Sequence, residues 1–203
     1  MFKVLTRLVR KAIWATILHP KLLKIPITIL DRLIIPQWQK AWGLYCQSQV
    51  KRMDPTSRFL GRVWVNYPEG LTIGPHVRIG RGCFLFCLGG LKIGDGSVLS
   101  RNITIYTANH NTRVNHIPYD NSYIRKSVSI GQGVWIGMDV RITPGVTIGD
   151  GAVIGMGTVV SRDIPEGAIV VGSPQRIVGE RDNSMVRQMI ENQMFFAAEW
   201  PDA

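Results

Sequence analysis

Ile130, Ile136, Ile142, Ile148, Ile154 and Val160 fall six residues apart, and Gly131, Gly137, Gly149 and Gly155 directly follow four of them. The same frame runs backwards through Ile73, Ile79 and Leu85, slips by two residues, and resumes at Ile93, Leu99 and Ile105, which makes twelve hexads. A period of six matches neither the amphipathic helix nor the simple strand, unless the chain bends once in every unit. A short strand followed by a turn satisfies it. Three such units close one triangular coil of parallel strands, with each aliphatic residue pointing inward onto its counterpart in the next coil. Glycine after the aliphatic suits a bent backbone where a Cβ would crowd. Small or β-branched residues recur in the fifth place of the last hexads, as a pleated strand prefers.

With 203 residues the chain is long enough for one β-coil body with terminal additions. We divide it into a basic amphipathic helical arm (1–58), the coil (59–181) and a C-terminal helix (182–203). Three cysteines, Cys46, Cys83 and Cys87, form an odd set without a secretory signal, which points to a reducing, cytoplasmic setting and to buried small hydrophobes. Cys83 and Cys87 lack the second Cys/His pair that a four-ligand metal site needs, so no metal is expected. No apolar run approaches the roughly 20 residues that span a bilayer.

The net charge of +10 is uneven: residues 1–58 hold eleven Lys/Arg against Asp31 and Asp54, leaving +1 for all the rest. Within residues 1–18, Phe2, Leu5, Leu8, Val9, Ala12 and Ile13 share one helical face, and Lys3, Arg7, Arg10 and Lys11 favour the other. A second helical stretch, from Gln37 to about Met53, carries Trp38, Trp42 and Tyr45. Two roles fit such an arm: lying on an anionic membrane surface at the inner face of the membrane, or capping the first coil with its charges in water. Nucleic acid is not an expected partner, because no helix-turn-helix, zinc or RNA-binding signature accompanies the charge. At the other end, Pro165 and Pro174 end the coil, and a helix is expected from about Ser184 to Trp200, with Ser184 or Asn183 as its N-cap.

The hexad frame is lost for long only once, between Tyr106-Thr-Ala-Asn-His110 and its return at Ser127-Val-Ser-Ile130. A long excursion from a rigid scaffold is where function concentrates. His110 stands at its root as the last residue of the hexad begun by Ile105, held by the coil and able to meet whatever the loop encloses. An imidazole so placed suits a general base. His116 and Asp120 lie within the excursion and are candidates for acceptor contact. His76, in an early hexad, reads as a turn residue.

Residues from about Gly61 to Arg181 resemble the hexapeptide-repeat acyltransferases, most of all the sugar O-acetyltransferases of the maltose, galactoside and colanic acid type. The resemblance rests on Ile105-Tyr-Thr-Ala-Asn-His110 before the loop, on Val134-Trp-Ile-Gly-Met-Asp-Val-Arg-Ile-Thr-Pro-Gly-Val-Thr-Ile-Gly149, and on Gly155 through Val171-Gly-Ser-Pro-Gln-Arg176. It implies a left-handed parallel β-helix, mainly β, with helices at the two ends. It also implies a homotrimer with sites between subunits, acetyl-CoA as acyl donor, and a saccharide or polysaccharide precursor as acceptor. His110 matches the family's catalytic base. Trp135, Gly137, Met138, Met156, Gly157, Ser161, Arg162 and Arg176 match positions lining the CoA groove, with the two guanidiniums suited to phosphate oxygens. The arginines would otherwise decorate a solvated rim, and Trp135 would otherwise cover a coil face. Backbone N–H groups near Trp135-Ile-Gly137 match the oxyanion donors.

Two departures from the family stand out. Its galactoside-type members carry an asparagine motif upstream of the histidine, where this chain reads Cys83-Phe-Leu-Phe-Cys-Leu-Gly89, so a different acceptor recognition is expected. The basic, Trp-bearing arm replaces the short helical segment of the maltose type. Three other readings compete: a serine acetyltransferase, which would carry a large acidic helical N-terminal domain; a γ-class carbonic anhydrase, whose zinc needs three converging histidines; and a non-catalytic β-helix scaffold. Deleting residues 1–18 is predicted to reduce co-sedimentation with anionic vesicles; unchanged sedimentation would assign the arm to packing.

Overall fold

The twelve hexad residues lie in three columns of four, one column on each face of a left-handed parallel β-helix. In the computed structural model, which describes residues 30–115 and 117–199, Ile73, Ile93, Ile130 and Ile148 pair in register on the first face. Ile79, Leu99, Ile136 and Ile154 do so on the second, and Leu85, Ile105, Ile142 and Val160 on the third. None of the twelve is more than 3 % exposed. Each such side chain contributes about 1.5–3 kcal/mol by leaving water, and the parallel ladder on either side fixes which residue it meets. The fifth-place residues Val77, Cys83, Val134, Val140, Val146, Ala152 and Ile164 fill the corners and are buried. Ser97 and Thr158 take the same place without penalty, because Ser97 Oγ donates to the Gly131 carbonyl (2.8 Å) and Thr158 Oγ1 to that of Gly155 (2.7 Å).

The first face comprises Arg52–Met53, Leu71–Ile73, Leu91–Ile93, Val128–Ile130 and Thr147–Ile148. Arg58–Leu60, Arg78–Gly80, Val98–Leu99, Trp135–Ile136, Val153–Ile154 and Ala168–Val171 make the second, extended by Arg176–Glu180, which folds back antiparallel. The third comprises Trp64–Asn66, Phe84–Phe86, Thr104–Tyr106, Arg141–Ile142 and Val159–Val160. The two-residue slip after Leu85 is absorbed at Gly89-Gly90. Gly90 has φ +96°, and a Cβ on Gly89 would run into the Thr107 carbonyl oxygen.

By its contacts the chain divides into two compact units, residues 1–40 and 41–203. The described part of the first is a π-helical turn, Leu30–Ile34, and the start of helix α1, Ile35–Ser48, which belongs to both. The expected amphipathic helix of residues 1–18 lies outside the described residues. The second expected helix does form, but it ends at Ser48 rather than near Met53, because from Arg52 the backbone pairs with the strand Leu71–Ile73. In the second unit Gly43 sits directly against the Phe59 carbonyl and Gln47 Oε1 accepts from Phe59 N (2.9 Å), which ties the end of α1 to the coil.

The C-terminal helix is also shorter than expected. Helix α2 is Asn183–Glu191, and its N-cap is Asp182, not Ser184 or Asn183: the Asp182 carboxylate accepts from Ser184 N (2.9 Å) and Met185 N (3.1 Å). The Ser184 hydroxyl, followed by those amides, holds this carboxyl below the usual carboxylate range. A left-handed residue, Gln193 (φ +53°), breaks the run, and a 3-10 turn at Phe196–Ala198 follows. The segment lies along the corner between the first and second faces. Phe195 sits over Gly96 and Val186 over Gly151, both glycines with positive φ that leave no room for a Cβ.

Ile136→Ala is predicted to lower stability by about 2–5 kcal/mol, since the rigid ladders prevent the cavity from collapsing. The exposed Arg141→Ala should shift it by less than about 0.5 kcal/mol. Urea unfolding of both variants checks the contrast.

Candidate active site

Thr107, fully buried at the corner after the third face, anchors the excursion. Its Oγ1 accepts from Gly89 N (2.8 Å) and donates to the Phe86 carbonyl (2.8 Å), while its own carbonyl accepts from Lys126 N (2.9 Å). Both ends of the excursion are thereby pinned to one coil. From there Ala108–His110 runs antiparallel to Tyr123–Arg125, with His110 opposite Tyr123, and Asn111 N donates to the Ser122 carbonyl (3.1 Å). The excursion therefore begins as a β-hairpin. This corrects the expectation that the coil itself holds His110: the coil holds Thr107, and the hairpin holds the histidine.

Two tyrosines frame the imidazole. Tyr119, from the outer part of the excursion, stacks on it at 3.8 Å between ring centroids and 15° between planes; Tyr123 lies at 4.5 Å and 34°. Together they restrict the ring's orientation while the residue as a whole stays half-buried. The Nδ1 atom is buried and has no hydrogen-bond partner among the described residues. Asp120 is turned into its own loop: its carboxylate accepts from the Ser122 amide (2.8 Å) and hydroxyl (2.5 Å), and that hydroxyl is the main cause of its lowered pKa. His116 lies outside the described residues.

The residues expected to line a CoA groove fall elsewhere on the prism. Trp135, exposed on the second face, leads into the turn Gly137-Met138, and Met156-Gly157 forms the same turn one coil on, with Gly157 N donating to the Met138 carbonyl (2.8 Å). A Cβ on Gly157 would meet nothing within 4 Å, so open space lies over this corner. The chain after Val171 continues past it, and the Gln175 side chain accepts from Ser161 N (2.7 Å) and Arg162 N (3.0 Å), which brings Ser161, Arg162 and Arg176 to the coil end. Met138 and Met156 mark the corner between the second and third faces. His110 leaves from the corner between the third and first. The structure thus places Met138, Met156 and Gly157 on the second–third edge of the third face, whereas Ser161 and Arg162, which follow Val160, lie at the coil end on the third–first edge from which His110 leaves.

Among the described residues no three His, Cys, Asp or Glu side chains converge as a metal site. Burial pushes the thiols of Cys83 to about 11 and Cys87 to about 12, so both stay protonated near neutrality and pack as small apolar groups. His76 is indeed a turn residue, with φ +56°. Sequence reasoning passed over Thr107 and the tyrosines 119 and 123. The available signal was the buried-outward alternation Phe84-Leu85-Phe86 and Thr104-Ile105-Tyr106, which places aromatic residues on the outside of the strands that lead to the histidine.

Comparison with known proteins bears on this arrangement. The family model for bacterial transferase hexapeptide (six repeats) matches residues 127–162, and that for the hexapeptide repeat of succinyl-transferase matches residues 70–107. Nodulation protein L of Rhizobium meliloti (strain 1021) is 36% identical over 144 residues, covering 68% of this chain and 75% of that protein. Among solved structures, the hexapeptide-repeat-containing acetyltransferase of Vibrio cholerae O1 biovar eltor complexed with acetyl coenzyme A is 30% identical with a TM-score of 0.55, over 58% of this chain and 64% of that one. A maltose O-acetyltransferase from Clostridium difficile 630 is 26% identical with a TM-score of 0.56, over 75% of this chain and 91% of that one. The chain belongs to the hexapeptide-repeat acyltransferases of the sugar O-acetyltransferase type, enzymes that take their acyl group from acetyl-CoA.

Thr107→Val keeps the shape of the anchor but leaves the Gly89 amide without its acceptor, a buried loss that typically costs about 1–3 kcal/mol. The expected outcome is a lower midpoint in urea, together with faster hydrogen exchange at the amides of residues 108–110 and 123–125 than in the wild type.

Proposed function

We propose that the protein transfers an acetyl group from acetyl-CoA to a hydroxyl of a saccharide or polysaccharide precursor, with His110 as general base. The observation that carries this reading is a single imidazole held by a hairpin against two tyrosines, beside a rigid coil whose family performs acyl transfer. The edge formed by Trp135, Met138, Met156 and Gly157, with Ser161, Arg162 and Arg176 across the coil end from it, has the chemistry of a CoA groove. Its methionines and open glycine suit the thin pantetheine, and its arginines suit phosphates. Because His110 and the Met138–Met156 edge lie on opposite sides of the third face, an edge of one copy meeting the other edge of the next would complete the site. Threefold closure would then give a homotrimer with three equivalent sites.

Acetyl-CoA supplies the activated thioester. His110 accepts the proton of the acceptor hydroxyl as that oxygen bonds to the carbonyl carbon, and returns it to the sulfur as the carbon–sulfur bond breaks, so no acyl-enzyme is needed. Backbone N–H groups near Trp135 and Gly137 are assigned to the developing oxyanion. Holding both substrates together removes much of the entropic barrier. His116 and Asp120, on the same excursion, are assigned to the acceptor side. The basic arm, shortened to residues 1–51 because Arg52–Met53 and Arg58–Leu60 are strands of the coil, offers a cytoplasmic enzyme a means of resting at an anionic membrane surface where such acceptors are presented; no helix among the described residues is long and apolar enough to cross a membrane.

His110→Ala should lower the rate of CoA thiol release with a saccharide acceptor by about 10²–10⁴, with the oligomer mass and CoA binding unchanged. A fully active variant would remove the proposed base.

A further inference from the structure

Helix α2 and the turn after it do not close fully on the second face. Gln193, in the left-handed region, turns the chain so that Phe195 seats on Gly96 while Met194 and Phe196 stay outside. A groove of about 470 Å³ is left between this segment and the β-helix, a volume typical of small-molecule sites. Val98 and Trp135, outward neighbours in register on the second face, form its floor, and Met189 and Ile190 of α2 line its side. Trp135, Met194 and Phe196 are each more than half exposed. An apolar recess rimmed by large apolar side chains in water marks a binding site more often than a solvated surface. The groove is separate from the His110 hairpin, which leaves from the corner between the third and first faces.

Ser100 and Arg181 are the polar side chains of the lining. Arg181 donates from Nη1 to the Gly151 carbonyl (3.0 Å), which fixes the guanidinium beside the groove, and its other side-chain N–H groups have no partner among the described residues. The carboxylate that follows it, Asp182, is turned into the cap of α2. We propose that this groove binds a fatty acid, with the unbranched chain on the Val98–Trp135 floor and the carboxylate on Arg181. Three grounds select this occupant. A wholly apolar ligand or peptide segment would cover the free guanidinium donors without pairing them, and unmade hydrogen bonds of a charged group are costly. A polyanion such as a nucleotide would meet one cation and an apolar floor, on which its other charges would lose water without a partner. A flexible chain suits a groove walled partly by methionines, which adapt to an irregular occupant, and one carboxylate matches the fork of one guanidinium. The proposal stands apart from the acetyl-transfer reading, although Trp135 also opens the turn Gly137-Met138 assigned to the donor.

The test is equilibrium dialysis of hexanoate, octanoate, decanoate and decyltrimethylammonium, each below its micelle concentration, against the full chain and its Arg181→Gln and Ser100→Phe variants. The wild type should bind a single decanoate per chain, with affinity rising about tenfold for each pair of methylenes added, and should bind decyltrimethylammonium more weakly. Arg181→Gln should weaken decanoate by about tenfold and leave decyltrimethylammonium unchanged. Ser100→Phe, whose ring would project into the groove, should abolish the binding of both while the urea midpoint shows a folded chain. Decanoate should still bind at saturating acetyl-CoA. Equal binding of the anionic and cationic decyl ligands, no gain with chain length, or decanoate binding that both variants leave intact would overturn the proposal. So would competition by acetyl-CoA, which would give the groove to the donor, or a fall in oligomer mass in Ser100→Phe, which would give it to a second copy. Binding that appears only after residues 200–203 are deleted would give it to the chain's own end, and would overturn the proposal equally.

Discussion

Three inward columns of aliphatic side chains, each locked in register by the ladders beside it, are the constraint on which everything else in the protein depends. A globular core can shift a helix to relieve a misfit; here every coil is bonded above and below, so an inward residue has one place to go. Ile136 pairs with Leu99 on one side and Ile154 on the other, and the same holds all along the prism. The outcome is a body that deforms little, on which the outward residues and the corner turns are free to vary.

That freedom is used at the corners in three ways. The corner between the first and second faces is kept narrow by Gly96 and Gly151, which lets Phe195 and Val186 close down on it and seat α2. The corner between the second and third faces is left open over Gly157. The corner between the third and first faces ejects the hairpin that carries His110, with Thr107 bonding the Phe86 carbonyl and the Gly89 amide of the neighbouring coil at its base. Under the proposed function, packing, donor binding and base chemistry use different corners of one prism, and none disturbs the columns inside.

The columns were legible because a six-residue period has few physical solutions, and the inward residues report it directly. The excursion was legible as a loss of that period. The position of His110 was legible, but its support was not: a hairpin pairing of Ala108–His110 with Tyr123–Arg125 has no periodic signal in so short a pair of strands, and Tyr119 reaches the imidazole through a loop whose path no local pattern encodes. The ends of both helices were misplaced for a related reason. Ser48 ends α1 because the backbone beyond it is drawn into a strand, and Gln193 ends α2 because Phe195 is drawn to Gly96. In each case a tertiary contact overrode the local preference. Asp182 caps α2 in place of its neighbours since its carboxylate reaches two amides of the first turn at once.

The separation of His110 from the Met138–Met156 strip has a consequence for how such an enzyme would be controlled. A general base and a thioester must come within hydrogen-bond and bonding reach of one acceptor oxygen, and a face of stiff strands lies between them within a single chain. Bending the prism would require breaking ladder bonds in several coils at once, so approach by flexing is far more costly than approach by association. Under the proposed assembly, the lone subunit would be a folded but incomplete catalyst, and the activity would follow the population of associated copies instead of any motion inside one. Under the same assembly the stiffness would favour precision, because the edges that meet are fixed by the columns, while the hairpin framed by Tyr119 and Tyr123 stands clear of the ladders.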